Sequence, residues 1–185
     1  MDEKDRKIAV VGNVQDVRHV AREIALEEAA KVAAPGIGRK LLKVPDERLR
    51  QKSKPVEKID DYVKEVAKFL LDQLAPTESI GLAACQYGEM IRLIVVRIQG
   101  IERVFVNPDF VKKSDKTHLL FERCQSIPGK KFAVERPKIV KIKGLGLDSE
   151  MHSLKGHDLV AQCLCHEMDH LDGVLIDTIG RYIGE

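Results

Sequence analysis

The fold class expected for this sequence is α+β, and three observations agree with it. Apolar residues recur at helical spacing in two early segments. Short apolar runs separated by polar and turn residues fill the middle of the chain. A last helical segment lies near the end, and the length of 185 residues suits a single hydrophobic core.

Two amphipathic helices are predicted before the strands. The first covers about residues 17–34, where Val17, Val20, Ile24, Ala25 and Val32 recur at roughly helical spacing. The second covers residues 60–75 and places five apolar or aromatic residues on one face, namely Tyr62, Val63, Val66, Phe69 and Leu70. The segment between these helices contains Pro45 and Pro55 and is predicted to be irregular.

Strands are predicted in the second half of the chain, followed by one more helix. The apolar runs cover residues 91–98, 103–107, 117–121 and 138–145. The last helix is predicted from about residue 156 to 171, and Gly173 is placed to end it.

Composition excludes several classes of protein. A net charge of +2 with 32% charged residues predicts no broad basic surface, so bulk charge gives no indication of nucleic-acid binding. No apolar run approaches the length of a membrane span. The acidic residues near the N-terminus fit neither a secretory signal nor a transit peptide. We therefore expect a cytoplasmic protein, in which the four cysteines are thiols, metal ligands or core residues.

The segment CLCHEMDHLDG, residues 163–173, indicates a metal site. His166 and His170 are four residues apart, so a helix presents both imidazoles on one face. Glu167 lies beside them, where it can act as a general base. A catalytic centre of this kind needs a third protein ligand and one open position.

The third ligand is expected upstream, because no histidine follows His170. Cys124 is the favoured candidate, since it follows a predicted strand and precedes a Pro-Gly turn. Cys85 and Cys163 are competing thiols. A structural zinc site formed by Cys85, Cys163, Cys165 and His166 is a less favoured alternative. Such sites normally use closely spaced pairs of cysteines with longer separations between the pairs, and these four residues lack that spacing.

Three segments in this order resemble the peptide deformylase family. Its motifs are G-x-G-x-A-A-x-Q, E-G-C-x-S and Q-H-E-x-D-H, and their counterparts here are SIGLAACQ (79–86), ERCQS (122–126) and CHEMDH (165–170). The resemblance extends from about Leu41 to about Ile179. It implies an N-terminal extension at residues 1–38 and a catalytic domain at 39–185, with antiparallel sheets around the HExxH helix.

The resemblance implies a hydrolase that removes the formyl group from the N-terminal methionine of newly made polypeptides and releases formate. Cys124, His166 and His170 would hold one divalent metal, usually iron(II), which zinc, nickel or cobalt can replace. Glu167 would carry a proton from water to the departing amine. The Gln86 amide and the Gln125 backbone N–H would stabilise the negative oxygen.

The resemblance also implies supporting and substrate-binding residues. Glu122 and Arg136 would form an ion pair behind the metal loop, and Asp169 would hold an imidazole or a helix neighbour. Four residues are expected to border the substrate: Gly81, Arg123, Gln162 and Cys163. Gln162 either makes the methionine slot unusually polar or turns aside to bond with the backbone.

Three residues depart from the family motifs: Ser79 and Arg123 replace glycines, and Gln125 replaces a leucine. They leave open a deformylase-like metal-binding protein with altered specificity or without turnover. A general metallopeptidase is a further alternative, which the absence of a downstream third ligand opposes. The expected partner is an N-formylmethionyl peptide. The resemblance leaves a contact with the ribosome open, and membranes and nucleic acids are not expected partners.

Overall fold

The computed structural model describes residues 39–98 and 100–185. The predicted extension at residues 1–38, with its helix at about 17–34, lies outside the described residues and stays a prediction. Among the helices that are described, none has both the length and the apolar character needed to cross a lipid bilayer.

The described residues form three α-helices, two short 3₁₀ helices and eight strands. The α-helices are α1 (Asp61–Leu74), α2 (Asp158–Leu171) and α3 (Ile176–Ile179), and the 3₁₀ helices are Glu47–Arg50 and Ala84–Tyr87. The strands are β1 (Gly81–Ala83), β2 (Leu93–Ile98), β3 (Ile101–Lys113), β4 (Thr117–Cys124), β5 (Ile127–Pro137), β6 (Ile139–Leu145), β7 (Met151–His157) and β8 (Arg181–Gly184).

Helix α1 agrees with the predicted second helix. The side chain of Asp60 caps it by accepting the N–H of Val63 at 3.1 Å, which satisfies a backbone donor that has no partner within the helix. Its buried face packs against β1 and β2, where Leu82, Leu93 and Val95 are fully buried. Burial of this apolar stripe is the main source of the helix's stability.

A five-stranded antiparallel sheet in the order β1-β2-β3-β6-β7 separates the two long helices. Side chains of successive residues point to opposite faces of a strand. One face packs against α1 through Val95 and Val106, and the other packs against α2 through Val96 and Ile142. Helix α2 is therefore held on one face of this sheet.

The second sheet has three antiparallel strands in the order β4-β5-β8. Its core joins Cys124, Ile127 and Phe132 to Leu175 and Ile176 around helix α3. Strands β1 and β4 each lie at the edge of their sheet, so each has one neighbour and one open side. This arrangement leaves two strand edges available to border a cleft.

The α+β class and the antiparallel arrangement are confirmed, but the pattern of apolar residues does not predict four of the strands. These are β1, β5, β7 and β8, of which β1 and β8 are very short. Strand β7 contains few apolar residues, and the sequence pattern places its last two residues in the following helix. Helix α2 begins only at Asp158, because Gly156 and His157 still belong to β7. Gly156 packs closely on the helix, since a Cβ there would be 2.5 Å from Val160 Cγ1.

Gly173 ends α2, as the sequence predicts. Its φ of +72° is a left-handed conformation that favours glycine. A Cβ at this position would lie 2.5 Å from the carbonyl oxygen of Arg50. The chain can therefore turn back against residues 50–51 after the helix.

Candidate functional site

Three side chains with metal-binding atoms meet between β4 and α2. The helix presents His166 and His170 on one face, one turn apart, and β4 ends at Cys124 opposite them. The distance from Cys124 Sγ to His170 Nε2 is 3.3 Å, and the ligand atoms of all three residues lie within 4.8 Å of one another. Among the described residues, this is the single cluster of this kind.

This donor set suits a transition-metal ion. A thiolate and two imidazoles form a set that binds zinc, iron and similar ions, and three protein ligands leave a position open. Burial lowers the pKa of His170 well below its ordinary value, which favours the neutral imidazole that metal binding requires.

A buried network of charges orients His166 from behind. His166 Nδ1 lies 2.9 Å from Glu122 Oε2, so its Nε2 is left for a ligand in the site. Arg136 contacts the same carboxylate through two bonds, from Nε at 2.6 Å and from Nη2 at 3.0 Å. The third donor of Arg136, Nη1, bonds to Asp169 at 2.6 Å. Asp169 therefore holds Arg136, whereas the sequence suggested an imidazole or a helix neighbour as its partner.

The network keeps Glu122 ionised. Burial alone would raise the pKa of Glu122, but hydrogen bonds from His166 and Arg136 outweigh it and lower the pKa to about 2. Burial alone would lower the pKa of Arg136. Its hydrogen bonds to Glu122 and Asp169 outweigh that effect and raise the pKa. His166 thus faces a fixed negative charge on one side and the thiol of Cys124 on the other.

Glu167 lies next to this cluster in a dry environment. The residue is only 4% exposed, and its Oε2 has no hydrogen-bond partner among the described residues. Burial raises the pKa of Glu167 to about 7, with a smaller opposing effect from His166. A carboxylate with a pKa near neutrality can both accept and return a proton.

Gln86 is fixed beside the cysteine. Its Oε1 accepts the N–H of Ala83 at 3.0 Å, and this bond determines which end of the amide points into the site. Its Nε2 donates to Ser126 Oγ at 3.3 Å and lies 3.9 Å from Cys124 Sγ. Gln86 therefore presents an N–H donor close to the cluster.

Gln125 occupies the two-residue turn between β4 and β5. Its side-chain Nε2 donates to Ser79 Oγ at 2.8 Å, across the gap between the two sheets. Its backbone N–H donates to no other group within the described part of the chain. Gln125 and Ser79 are two of the three residues that depart from the family motifs. They are 46 residues apart, so their contact could not be predicted from the sequence.

A cleft with a volume of about 390 Å³ opens onto these groups. One wall consists of residues 78–82 at β1, and the facing wall consists of residues 121–125 at the end of β4. Helix α2 forms the floor with Gln162, Cys163, His166 and Glu167. Because both walls are strand edges, an extended peptide can lie between them and bond to their backbone groups.

All four residues predicted to border the substrate line this cleft: Gly81, Arg123, Gln162 and Cys163. Arg123 is exposed at its wall. Gln162 lines the floor, and its Nε2 donates to the carbonyl oxygen of Phe121 at 3.1 Å. The bond to the backbone, one of the two alternatives for Gln162, is therefore present, and the polarity of the methionine slot stays a prediction.

The competing cysteines have other surroundings. Cys85 Sγ donates to the backbone oxygen of His170 at 3.2 Å, and burial raises its pKa to about 12. Burial also raises the pKa of Cys163 well above its ordinary value. Burial therefore makes both thiols harder to ionise than an ordinary cysteine. Neither belongs to the group of ligand atoms that Cys124, His166 and His170 form.

Gly81 has no room for a side chain. A Cβ at this position would lie 2.7 Å from Cys163 Sγ and 2.8 Å from Glu167 Cγ. Glycine thus lets strand β1 pass directly over the floor of the cleft, next to Glu167.

We expect Gly81→Ala to lower the free energy of unfolding by about 1–3 kcal/mol, because overpacking forces neighbouring side chains to move. Urea denaturation measures the change. Adding Cys163→Ala to this variant supplies space on one side and should restore part of the lost stability. Equal stability of Gly81→Ala and the parent protein would contradict the close approach.

Comparison with known proteins gives consistent matches. The sequence model of the polypeptide deformylase family matches residues 25–181, a range that begins within the predicted N-terminal extension. A peptide deformylase of Brucella suis is 43% identical over 147 residues, which cover 76% of this chain and 84% of that protein. One from Finegoldia magna is 40% identical over 132 residues, covering 70% and 82%.

Solved structures agree with these relatives. The crystal structure of a peptide deformylase from Legionella pneumophila matches with a TM-score of 0.73 and 36% identity, over 76% of this chain and 85% of that one. The structure of a Synechococcus elongatus peptide deformylase in complex with actinonin matches with a TM-score of 0.72 and 34% identity, over 78% and 80%.

Proposed function

Because the chain belongs to the peptide deformylase family, we propose a reaction in which its own cleft residues remove the formyl group of N-formylmethionyl peptides. The protein is a metal-dependent hydrolase, and it acts on the N-terminal methionine of newly made polypeptides. Water and the formyl amide give formate and a free amine. The observation that carries the proposal is the position of Glu167 beside Cys124, His166 and His170 in the cleft.

The proposed metal ligands are Cys124, His166 and His170. When bound, the ion would polarise the formyl carbonyl and lower the pKa of water, which is the chemistry that such an ion supplies. Glu122 holds His166 in the orientation that binding requires. We propose iron(II) as the resident metal, with zinc, nickel or cobalt able to occupy the same ligands. Elemental analysis of protein purified without oxygen tests this choice.

Glu167 is proposed to move the proton. It takes a proton from the attacking water and returns it to the nitrogen of the departing peptide amine, so that the C–N bond breaks without forming an unstable amide anion. Its burial and its pKa of about 7 suit both steps. The carboxylate lies close against the backbone of Gly81, which limits the space in which it can move.

Gln86 and Gln125 are proposed to stabilise the oxygen that gains charge. The amide N–H of Gln86 points toward Cys124, and the backbone N–H of Gln125 lies in the adjoining turn. Donors fixed before the reaction need little reorganisation as charge develops, and each contributes about 3–4 kcal/mol in comparable sites. Arg123, Gln162 and Cys163 are proposed to contact the peptide.

Formate release from formyl-Met-Ala-Ser, measured after loading with iron(II) under anaerobic conditions, tests the proposed function. We expect turnover with the formylated peptide and none with Met-Ala-Ser. Full metal content without formate release would instead identify a metal-binding relative that has lost catalysis. Cleavage between Met and Ala would identify a general peptidase.

We propose the cytoplasm as the location of the protein. A contact with the ribosome is a further proposal, which cosedimentation with ribosomes tests.

Gln162→Ile is expected to raise kcat/KM for formyl-methionyl peptides about fivefold. The Gln162 nitrogen already donates to the Phe121 carbonyl, so a bound methionine side chain would meet the amide oxygen. A polar group left unpaired in this way costs about 1 kcal/mol. A formyl-alanyl peptide, whose short side chain leaves this part of the cleft empty, is the control and should change less. Unchanged or lower kcat/KM for the methionyl peptide would contradict the prediction.

We propose that residues 1–38 are an extension and that residues 39–185 carry the chemistry, since all the cleft residues lie in the second range. A protein that begins at Arg39 is expected to fold, bind metal and release formate at a rate close to that of the full chain. Circular dichroism and the formate assay measure both properties. Loss of folding would show that the first residues contribute to the core.

A further inference from the structure

The tight turn between β4 and β5 is held by polar bonds from two sides. The turn consists of Gln125 and Ser126. Ser126 is fully buried, its carbonyl accepts the N–H of Val44 at 2.9 Å, and its Oγ accepts Nε2 of Gln86 at 3.3 Å. On the other side, Gln125 Nε2 donates to Ser79 Oγ at 2.8 Å. Each residue of the turn therefore has an anchor of its own.

Ser79 is a well-fixed anchor, because the chain beside it is tied to the five-stranded sheet. It directly precedes Ile80, whose carbonyl accepts the N–H of Arg97 at 2.8 Å. Strand β1 begins at Gly81, one residue further along the chain. Ser79 is half-buried, and both it and Gln125 line the cleft. The bond between them thus fixes the turn at the position where it borders the cleft.

The two partners of this bond are both departures from the family motifs. Ser79 stands where the first motif has a glycine, and Gln125 stands where a leucine is usual. Neither glycine nor leucine has a side chain that could form the bond. The two departures therefore supply an acceptor and a donor to each other, which indicates a joint role.

The bond contributes little to the stability of the fold. Ordering a flexible glutamine side chain costs conformational entropy of the same order as the net gain from one hydrogen bond. The hairpin is held without it, through the pairing of Cys124 with Ile127 and through the bonds of Ser126. The main effect of the bond is therefore local, on the position of Gln125. The backbone N–H of Gln125 has no partner in the described part of the chain, so the position of this residue determines where the N–H points.

We propose that Ser79 is a positioning residue, which holds Gln125 so that its backbone N–H faces the oxygen that gains charge. This inference rests on the proposed deformylase reaction, in which that N–H acts together with the Gln86 amide. Donors stabilise a developing charge best when they are in place before the reaction. A displacement of about 1 Å can cost about 100-fold in rate. Because Gln86 has separate bonds to Ala83 and Ser126, loss of the Ser79 hydroxyl acts on Gln125 alone.

Steady-state formate release from formyl-Met-Ala-Ser by the full chain, loaded with iron(II), tests the proposal. Ser79→Ala should lower kcat about tenfold, since a displaced donor loses only part of the 10²–10³ that removal of a donor costs. KM, metal content and the inhibition constant of the product Met-Ala-Ser should stay unchanged, because the product has no formyl oxygen. Ser79→Thr keeps a hydroxyl group and should restore kcat. The Tm of Ser79→Ala should fall by no more than about 4 °C.

Ser114→Ala is the matched control. It also removes the hydroxyl of a half-buried serine, but that hydroxyl bonds to Lys116 and Ile139 and does not line the cleft. Its kcat should equal that of the parent, and an equal loss of kcat in this control would contradict a specific role of Ser79.

Gln125→Leu removes the same bond from the other side and keeps the backbone N–H. If Ser79 acts through Gln125, adding Ser79→Ala to Gln125→Leu should cause no further loss of kcat. Additive losses would overturn the proposal, and so would a Ser79→Ala variant whose loss appears in KM alone or not at all. A metal-loaded parent that releases no formate would overturn the proposed function, and this inference with it, whereas the other outcomes leave the proposed function in place.

Discussion

Glu167→Gln is expected to lower kcat for formate release about 10³-fold or more while metal content stays unchanged. Glutamine has nearly the same size and fits the same buried space, but it cannot accept and return a proton. Proton transfer by a positioned side chain contributes about 10²–10⁴ to the rate, and here one carboxylate serves two steps. Steady-state kinetics and elemental analysis of the same preparation measure the two quantities.

Asp169→Asn is the matched control for this change. It removes another partly buried carboxylate from the same helix, but Asp169 contacts Arg136 and does not line the cleft. We expect its kcat to fall by no more than about 10–100-fold, the usual cost of losing a residue that supports a ligand indirectly. Near-native turnover of metal-loaded Glu167→Gln would show that another group carries the proton.

Cys124→Ala is expected to weaken metal binding by a factor of about 100 or more. Loss of a residue that only supports a ligand already costs 10–100-fold in affinity, and Cys124 provides the thiolate itself in the proposed site. Elemental analysis after dialysis measures the occupancy. A cobalt-loaded sample gives a second readout, because absorption from a sulfur–cobalt bond should disappear with the cysteine.

Cys85→Ala and Cys163→Ala are the controls, since both thiols are buried but lie outside the cluster of Cys124, His166 and His170. Each should keep the metal and its absorption. If Cys124→Ala kept full occupancy and one of the other two variants lost it, the thiolate would be assigned to that residue instead.

The parts of this molecule that depend on neighbours in sequence could be predicted. The periodicity of residues 60–75 predicts α1, and the spacing of His166 and His170 predicts that they share a helix face. Gly173 ends that helix as predicted. In each case, the determining interaction lies within one or two turns of the chain.

Contacts between distant segments could not be predicted from the residues alone. The pairing of Gln125 with Ser79 depends on how the two sheets approach each other, and the pairing of Gln162 with the Phe121 carbonyl depends on how α2 approaches β4. The pairing of Asp169 with Arg136 depends on the distance between α2 and β5. The polar strand β7 was missed because the pairing with β6 outweighs its weak strand pattern.

The two walls of the cleft belong to different sheets. The width of the cleft can therefore change without a change in the hydrogen bonds within either sheet. Each sheet can keep its own ladder of hydrogen bonds while the gap between β1 and β4 widens or narrows. The side-chain bond from Gln125 to Ser79 spans that gap. Substitutions at these two positions can therefore adjust how wide a peptide the gap admits without altering either sheet, which gives the scaffold a simple route to divergent substrate preference.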